Sequence, residues 1–454
     1  MEITSLQYLL FVIAFISCFH IANEKFKKVI LLTASILFYG SYSLVLLFAL
    51  ALSTIVNYNI SNIKTQYKKA LIIGFNLGLL LIFKLGNVFD DTTILVPIGI
   101  SFFTFQAIGY SLDFYANKIT VKHNFLDFAN FLSFFPQLIA GPIENFNKLG
   151  SQLVRLKKAT WEGFQSGLYL ISVGLAQKLI IADRCGVFVD KVYSNMSDAN
   201  FFSFTIATLL FSFQIFLDFS AYCNIALGVG KMLGINLSSN FNSPYLSSSV
   251  SDFWRNWHIT LHLWFKNYVL NYLKSRVNWL FSLLIIFVIS GAWHGLALNF
   301  IIWGIFSFST LLLDRYFIQK TIKNKYFTTF STFSFITIGW ILFRVNSIED
   351  IFNIPLKINQ HTLLGINQTI SDFIYVLTHF DSAPWFGKII IAHQEIPLSF
   401  LDFLILFASL ISWGVISLFK IKFKNYKTTI TFLLLICIGL LGYNHSQPFI
   451  YLQF

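Results

Sequence analysis

The stretch ISGAWHGLALNFIIWG, residues 289–304, holds a single ionisable side chain, His294. Trp293 precedes it, the glycines Gly291 and Gly295 flank the pair, and the runs on either side are apolar. A histidine at membrane depth carries a desolvation cost and usually persists there because the protein uses its nitrogen. We therefore interpret His294 as a functional residue. The alternative is a neutral imidazole that bonds a backbone carbonyl and serves only packing.

The composition of the chain indicates its structural class. Of 454 residues, 56% are hydrophobic, 18% are aromatic and 11% are charged. A soluble protein carries charge on about a quarter of its residues, so this chain lacks the groups to cover a water-facing surface. Its long apolar runs do not suit the alternating pattern of barrel strands. The sequence therefore predicts an all-α polytopic membrane protein.

The distribution of charge predicts the topology. The net charge of +12 does not indicate nucleic-acid binding, because the lysines fall in short clusters between apolar runs, where they meet anionic headgroups and mark the cytoplasmic side. The pattern predicts about eleven crossings. The first, Ser5 to Ala22, shows no cleavage site and is expected to be retained. We expect one membrane domain over residues 1–454, with an extracytoplasmic loop at 346–399 and a C-terminal hairpin at 400–445.

Two segments are expected to lie in the membrane without crossing it. Asn124 to Phe146 is apolar but broken by prolines, and both its ends face basic loops, which favours a re-entrant or tilted segment. Within residues 236–276 a polar loop leads into an amphipathic helix, for which Ser251 or Asp252 is the expected N-cap. Its Trp and Tyr residues suit the interface plane; the alternative is a surface helix of a soluble subdomain.

No metal site is expected. His258 and His262 are four residues apart and could share a helix face, but no glutamate base lies between them and no third ligand is evident. The cysteines are far apart and show no CxxC or Cys/His metal spacing; they are Cys18, Cys185, Cys223 and Cys437. Buried free thiols are the expected state of these cysteines.

Three clusters contain polar groups that a lipid-facing helix would not keep. The candidate substrate-binding residues from these clusters are Asp218, Trp254, Arg255, Asn256 and Trp293. The carboxylate of Asp218 could orient a histidine, cap a broken helix or bind an ion. A buried, neutral imidazole at His294 can act as general base for a hydroxyl that attacks an activated acyl group. The flanking glycines are expected to let backbone approach a bulky substrate, and no serine-nucleophile motif is present.

At these residues the chain resembles the membrane-bound O-acyltransferase family. The resemblance is strongest to the bacterial branch of the alginate and peptidoglycan O-acetyltransferase membrane subunits and the D-alanyl transfer protein of teichoic acid. The matching pieces lie in order within residues 140–304: AGPIENF (140–146), FLDFSAYCNIALGVGKMLG (216–234), NFNSPYLSSSVSDFWRNWHITLHLWFKNYV (240–269) and GAWHGLALNFIIWG (291–304). The resemblance implies that His294 and His258 are the catalytic and the second, branch-specific histidine. It also implies re-entrant and in-plane helices around a central tunnel.

The resemblance implies an O-acetyltransferase of the bacterial cytoplasmic membrane. Acetyl-CoA would donate from the cytoplasm with no cofactor bound, and an exported SGNH-type transferase would pass the acetyl group to peptidoglycan or an exported polysaccharide. Residues 222–228 and 270–276 depart from the polysaccharide-acetylating pattern and leave the acceptor open. D-alanyl transfer to teichoic acid is the alternative within the family. A transporter or flippase without acyl chemistry is the alternative outside it.

The helix around His258 is expected to face the donor. The basic residues place the end of the preceding span, near Lys231, in the cytoplasm. Arg255 would then pair with phosphates of coenzyme A. His258 would hydrogen-bond the arm that carries the acyl group, or hold the surroundings of His294 in place. The alternative for His258 is a structural role, with its ring bonded to backbone.

Overall fold

The computed structural model of the chain consists mainly of helices. It describes residues 1–88, 99–194, 196, 201–345, 347, 349–351, 389–391, 394–396, 400–418, 427–442 and 449–450. Most of the loop at 346–399, with its three histidines, therefore lies outside the described residues. Within it, strands β1 (Ile389–Ile391) and β2 (Gln394–Ile396) pair antiparallel.

The described residues form a series of helices. In chain order they are α1 (Leu6–Ile21), α2 (Glu24–Gly40), α3 (Leu44–Asn62), α4 (Lys68–Val88), α5 (Ile100–Tyr115), α6 (Phe125–Ser133), α7 (Phe135–Leu138), α8 (Ser151–Val154), α9 (Trp161–Ala176), α10 (Asp183–Ser194), α11 (Phe201–Met232), α12 (Val250–Asn256), α13 (Ile259–Trp264), α14 (Asn271–Leu273), α15 (Trp279–His294), α16 (Leu298–Leu313), α17 (Gln319–Thr321), α18 (Lys325–Arg344), α19 (Phe400–Leu418) and α20 (Lys427–Leu441). In the same described ranges there are also four π-helical segments, Phe146–Gly150, Gln177–Ala182, Phe265–Leu270 and Asp314–Ile318, and a 3₁₀ turn, Pro244–Leu246.

Several of these helices can cross a membrane. Within the described residues, five are long and apolar enough: Leu44–Asn62, Trp161–Ser194, Ser203–Met232, Leu298–Thr321 and Lys325–Arg344. Four shorter apolar helices accompany them, among them α1 and α15. The prediction of an all-α polytopic membrane protein is confirmed, while the number of crossings stays a prediction.

The long helix α11 lies at the centre of the fold and packs closely on α9. A Cβ atom added to Gly167 would lie 2.5 Å from the carbonyl oxygen of Gly228, and one added to Gly174 would lie 2.6 Å from that of Ala221. Small residues allow membrane helices to bring their backbones into contact in this way. The polar groups of the middle of the chain are therefore held against a rigid pair of helices.

The segment expected to be re-entrant forms α6 and α7, and its residues 127–144 are buried. Asn124 and Asp127 form a capping box at the start of α6, and Lys28 pairs with Asp127 at 2.6 Å. At 1.5 Å per residue, α6 is only about 14 Å long, and α7 has four residues. Neither helix can cross a bilayer, which agrees with the prediction.

The expected N-cap of the amphipathic helix was wrong. The helix begins at Val250, and its N-cap is Ser249, whose hydroxyl accepts a hydrogen bond from the backbone N–H of Asp252. The side chain of Asp252 pairs instead with Arg255 at 2.9 Å. The cap therefore lies two residues before the nearer of the predicted positions, and the Asp252 carboxylate serves an ion pair on the first turn.

Candidate active site

His294 is the last residue of α15 and stands at the tip of the hairpin that α15 makes with α16. The two helices touch at glycines. A Cβ atom added to Gly291 would lie 2.2 Å from the carbonyl oxygen of Phe300, and one added to Gly295 would lie 2.3 Å from the Phe300 ring. The sequence suggested that these glycines make room for a substrate. They make room for Phe300 and thereby fix the turn that carries His294.

The imidazole of His294 is enclosed by aromatic rings. Its centroid lies 4.6 Å from Trp293, 5.4 Å from Trp303 and 5.0 Å from Phe343, at steep interplanar angles of 69°, 89° and 79°. Only 6% of the residue surface is exposed. These rings exclude bulk water from most of the imidazole and limit the directions from which a reacting molecule can reach it.

A cavity of about 290 Å³ reaches His294. Its walls are mostly aliphatic and aromatic, and both His258 and His294 line them. Arg255, Lys266 and Arg315 also line it, and none of the described lining residues is acidic. The cavity is therefore apolar in its walls and positive in its charge.

The cavity is elongated along α15. The residues of this helix that line it lie on one face and are Trp279, Leu283, Ile286, Phe287, Ser290 and His294. They include both ends of the helix, which are about 24 Å apart at 1.5 Å per residue. The cationic side chain of Arg315 belongs to the π-helical segment that directly follows α16, so it lies at the Trp279 end of the hairpin. The cavity thus runs from a basic rim to a buried histidine.

His258 lies at a break in the backbone between α12 and α13. Its φ of 44° and ψ of 54° are left-handed, a conformation uncommon for a non-glycine residue and frequent at functional sites. The backbone around it is held by Asn240, whose carbonyl oxygen accepts from Ile259 N at 2.9 Å and whose Oδ1 accepts from Thr260 N at 3.2 Å. The prediction of one continuous amphipathic helix through His258 was therefore wrong, because the chain forms two helices that are separated at this residue.

The break directs the ring of His258 into the core. Its centroid lies 4.8 Å from Phe219 and 6.0 Å from both Phe102 and Trp293. The ring is buried and lines the same cavity as His294. In a continuous helix the direction of the His258 side chain would follow from its position along the helix. The left-handed backbone at His258 interrupts the helix, so its side chain can point in another direction.

The AGPIENF segment supports this arrangement from the other side. Ile143 N donates to Thr260 Oγ1 at 2.9 Å, and this hydroxyl donates to Asn240 Oδ1 at 2.6 Å. Ser238 N donates to Glu144 Oε1, which ties the same segment to the loop before α12. Burial raises the pKa of Glu144, and the nearby Lys148 opposes that shift. The segment therefore buttresses His258 rather than contacting the cavity.

The other predicted residues fall into two groups. Trp254 and Arg255 line the cavity with the two histidines, and Arg255 is exposed at its rim. Asn256 and Trp293 are not among the lining residues. The Asn256 amide donates to the Asp252 carbonyl oxygen at 2.9 Å, and the Trp293 ring packs against Phe105 at 5.7 Å.

Asp218 lies away from this cavity in a buried charge cluster. It accepts from Lys178 Nζ at 2.7 Å and from Ile450 N at 2.6 Å, and Lys178 also pairs with Asp183 at 2.8 Å. Among the described residues its side-chain partner is thus a lysine and not a histidine. Lys178 stands near the end of an apolar run in the sequence, and that placement was the signal for a buried ion pair. Within the described residues no three His, Cys, Asp or Glu side chains are placed to hold a metal ion.

Replacing His258 tests whether its imidazole or its backbone matters. We expect His258→Ala and His258→Asn to lower turnover by about 10- to 100-fold, because both remove a ring from the cavity wall. Asparagine tolerates the left-handed conformation better than alanine, so it isolates the loss of the ring. Initial rates of both purified variants measure this. Normal activity in His258→Asn with loss in His258→Ala would assign the effect to the backbone.

Comparison with known proteins places the chain in a family context. The model of one family, described as MBOAT, membrane-bound O-acyltransferase family, matches residues 36–348. A peptidoglycan O-acetyltransferase of Helicobacter pylori is 32% identical over 411 residues, covering 78% of each chain. A probable alginate O-acetylase AlgI of Pseudomonas aeruginosa is 30% identical, covering 75% of this chain and 71% of the relative. A teichoic acid D-alanyltransferase of Bacillus subtilis is 25% identical, covering 54% and 68%.

Proposed function

This chain belongs to the membrane-bound O-acyltransferase family, and we propose that it moves acetyl groups from cytoplasmic acetyl-CoA to a hydroxyl acceptor on the other side of the bacterial inner membrane. The chain is a membrane-embedded acyltransferase. The identity of the donor, of the acceptor and of the membrane belongs to the proposal. The observation that carries the proposal is the cavity that joins a basic rim to His294.

The rim suits a phosphorylated donor. Coenzyme A carries phosphates at one end and the reactive thioester at the other. Arg255, Lys266 and Arg315 offer charge-assisted hydrogen bonds to phosphates. The apolar length of the cavity offers a path for the uncharged arm, and His294 stands where the thioester would arrive. Lysines near this end of the hairpin, such as Lys320 and Lys323, support a cytoplasmic position.

The positive charge of the cavity favours an acetyl group over a D-alanyl group as the acyl group that is transferred. An alanyl group carries an ammonium, and a buried ammonium needs an anionic partner or several hydrogen bonds. The described lining residues include three cations and no carboxylate. An acetyl group is small and neutral, and it would lie among Trp254, Trp303 and the rings around His294 without a charge to satisfy.

The proposed reaction assigns one proton transfer to His294. The neutral imidazole takes the proton of the acceptor hydroxyl as its oxygen attacks the thioester carbonyl. The tetrahedral intermediate then collapses, the carbon–sulfur bond breaks, and the imidazolium returns the proton to the departing thiolate. The products are the acetyl ester and coenzyme A. His258, on the same cavity wall, would help to hold the thioester arm in place.

The acceptor is proposed from the relatives. Two of them are named for O-acetylation of peptidoglycan and of alginate, both polymers of sugars with free hydroxyls. An exported SGNH-type transferase would receive the acetyl group on its own hydroxyl and pass it to peptidoglycan or an exported polysaccharide. The membrane protein then needs to recognise only one protein hydroxyl.

Turnover in proteoliposomes tests the proposal. Acetyl-CoA labelled in the acetyl group is supplied to purified protein with the exported transferase as acceptor, and thiol release and labelled ester are both measured. We expect both, in equal amounts. Passage of label across the bilayer without thiol release would indicate a transporter. Use of a D-alanyl thioester in place of acetyl-CoA would indicate the alanyl branch.

Neutralising the rim should weaken donor binding selectively. We expect the triple variant Arg255→Gln, Lys266→Gln and Arg315→Gln to raise the KM for acetyl-CoA about tenfold or more with kcat little changed. The reason is that contacts to the phosphates stabilise the bound donor equally in the ground state and in the transition state. The double variant Lys274→Gln and Arg276→Gln removes exposed charges nearby that do not line the cavity, so it is the control. An unchanged KM in the triple variant would contradict the donor assignment.

A further inference from the structure

Lys84 is a charged residue inside the apolar helix α4, and its side chain reaches the candidate active site. It stands sixteen residues after Lys68, at which the helix begins, or about 24 Å along the axis. Its Nζ donates a hydrogen bond to the carbonyl oxygen of Trp293, the residue before His294. The helix ends four residues later, at Val88. A lysine within an apolar membrane helix is costly and is retained for what it contacts.

The contact is made with the last turn of α15, where backbone carbonyl groups lack partners within the helix. The last four carbonyl groups of a helix have no partner within that helix, and a cation near this end is also favoured by the helix dipole. Trp293 contributes one of those carbonyls. Lys84 takes part in none of the ion pairs found among the described residues. Its observed polar contact is therefore the helix end that carries His294.

Lys84 contacts the end of α15 from outside the cavity. His294 lines the cavity, whereas Lys84 does not. The Trp293 ring is held by Phe102 and Phe105 of α5, each at 5.7 Å between centroids, and the Trp293 carbonyl is held by Lys84 of α4. Ring and backbone of one residue are thus clamped by two different helices.

We infer that Lys84 is a positioning residue for the reaction, which fixes the last turn of α15 so that the His294 imidazole faces the donor cavity. The inference rests on the proposed function. A group held within a fraction of an ångström of its productive place reacts far faster than one displaced by 1 Å, a displacement that can cost about 100-fold. Lys84 does not touch the donor cavity, so donor binding does not depend on it.

Steady-state kinetics with varied acetyl-CoA separate this role from others. We expect Lys84→Met to lower kcat by about 100-fold, with the KM for acetyl-CoA unchanged within twofold. Lys84→Arg keeps a cationic donor and should recover most of the lost rate. Lys69→Met, on the first turn of the same helix, is the matched control and should behave as wild type. A raised KM with normal kcat in Lys84→Met would overturn the inference.

A chemical rescue covers the case in which Lys84→Met does not accumulate. Lys84→Cys, once purified, is alkylated with 2-bromoethylamine, which restores an ammonium, or with an ethylating reagent, which does not. Recovery of kcat with the amine alone supports the inference, and equal recovery or none with both reagents overturns it. Wild type treated likewise controls for native cysteines. His294→Ala run in parallel separates the two ideas: if it is active the proposed function fails, and if only Lys84→Met is active the positioning role fails.

Discussion

Replacing His294 by alanine is expected to lower acetyl transfer by at least about 1,000-fold while the protein still inserts and folds. A positioned general base contributes about 10²- to 10⁴-fold to a rate, and the rings that surround this imidazole, Trp293, Trp303 and Phe343, carry no basic group that could replace it. Labelled ester formed per minute per mole of purified protein is the measurement. The amount and melting temperature of the detergent-extracted variant show whether it is folded.

A second histidine provides the control. His20→Ala removes an imidazole that bonds the Met232 carbonyl oxygen at 2.9 Å and does not line the cavity. We expect its activity to remain within a few-fold of wild type. Near-normal transfer in His294→Ala would show that this residue is a packing histidine and that the chemistry lies elsewhere.

Replacing Gly291 by alanine is the second variant from which we expect a large loss. The new methyl group would lie 2.2 Å from the Phe300 carbonyl oxygen, so α15 and α16 would have to separate. Overpacking of this kind costs about 1–3 kcal/mol. The displaced tip carries His294 three residues later, and we expect turnover to fall by about 100-fold. Thermal unfolding and initial rate on the same preparation measure both effects.

Gly414→Ala is the matched control, because a Cβ atom at this position of α19 meets nothing within 4 Å. Alanine is also favoured over glycine inside a helix by about 1 kcal/mol. We therefore expect this variant to be as stable as wild type or more so, with full activity. Equal behaviour of the two variants would show that the contact between Gly291 and Phe300 does not set the position of the hairpin.

The sequence alone predicted those features of the fold and of the candidate site that depend on residue type and on local sequence pattern. His294 was a candidate because ionisable residues are rare in apolar segments, whereas His258 was a candidate through the resemblance to the family; the structure puts both on one cavity. The re-entrant segment was recognisable from its prolines and basic flanks, because these act locally on the chain. The family followed from four ordered pieces rather than from any single residue.

The remaining features depend on contacts between distant parts of the chain. The partner of Asp218 is Lys178, forty residues away, and Ile450 joins them from the C-terminal end. Lys84 meets Trp293 across 209 positions. No glycine or proline near His258 indicates the break in the helix. The break is stabilised by the hydrogen bonds that Asn240, eighteen residues earlier, accepts from Ile259 N and Thr260 N. Local periodicity carries no information about such pairings, and therefore these features required the folded arrangement.

The aromatic enclosure of His294 also bears on the energy balance of the cell. The proposed function places the donor and the acceptor on opposite faces of a membrane whose potential drives ATP synthesis and transport, so under that proposal the enzyme must not become a path for protons. Rings of Trp293, Trp303 and Phe343 close around the imidazole where the cavity reaches its end. Apolar rings disfavour a continuous chain of water, so under the proposed function the acetyl group would pass this point without opening a path for protons.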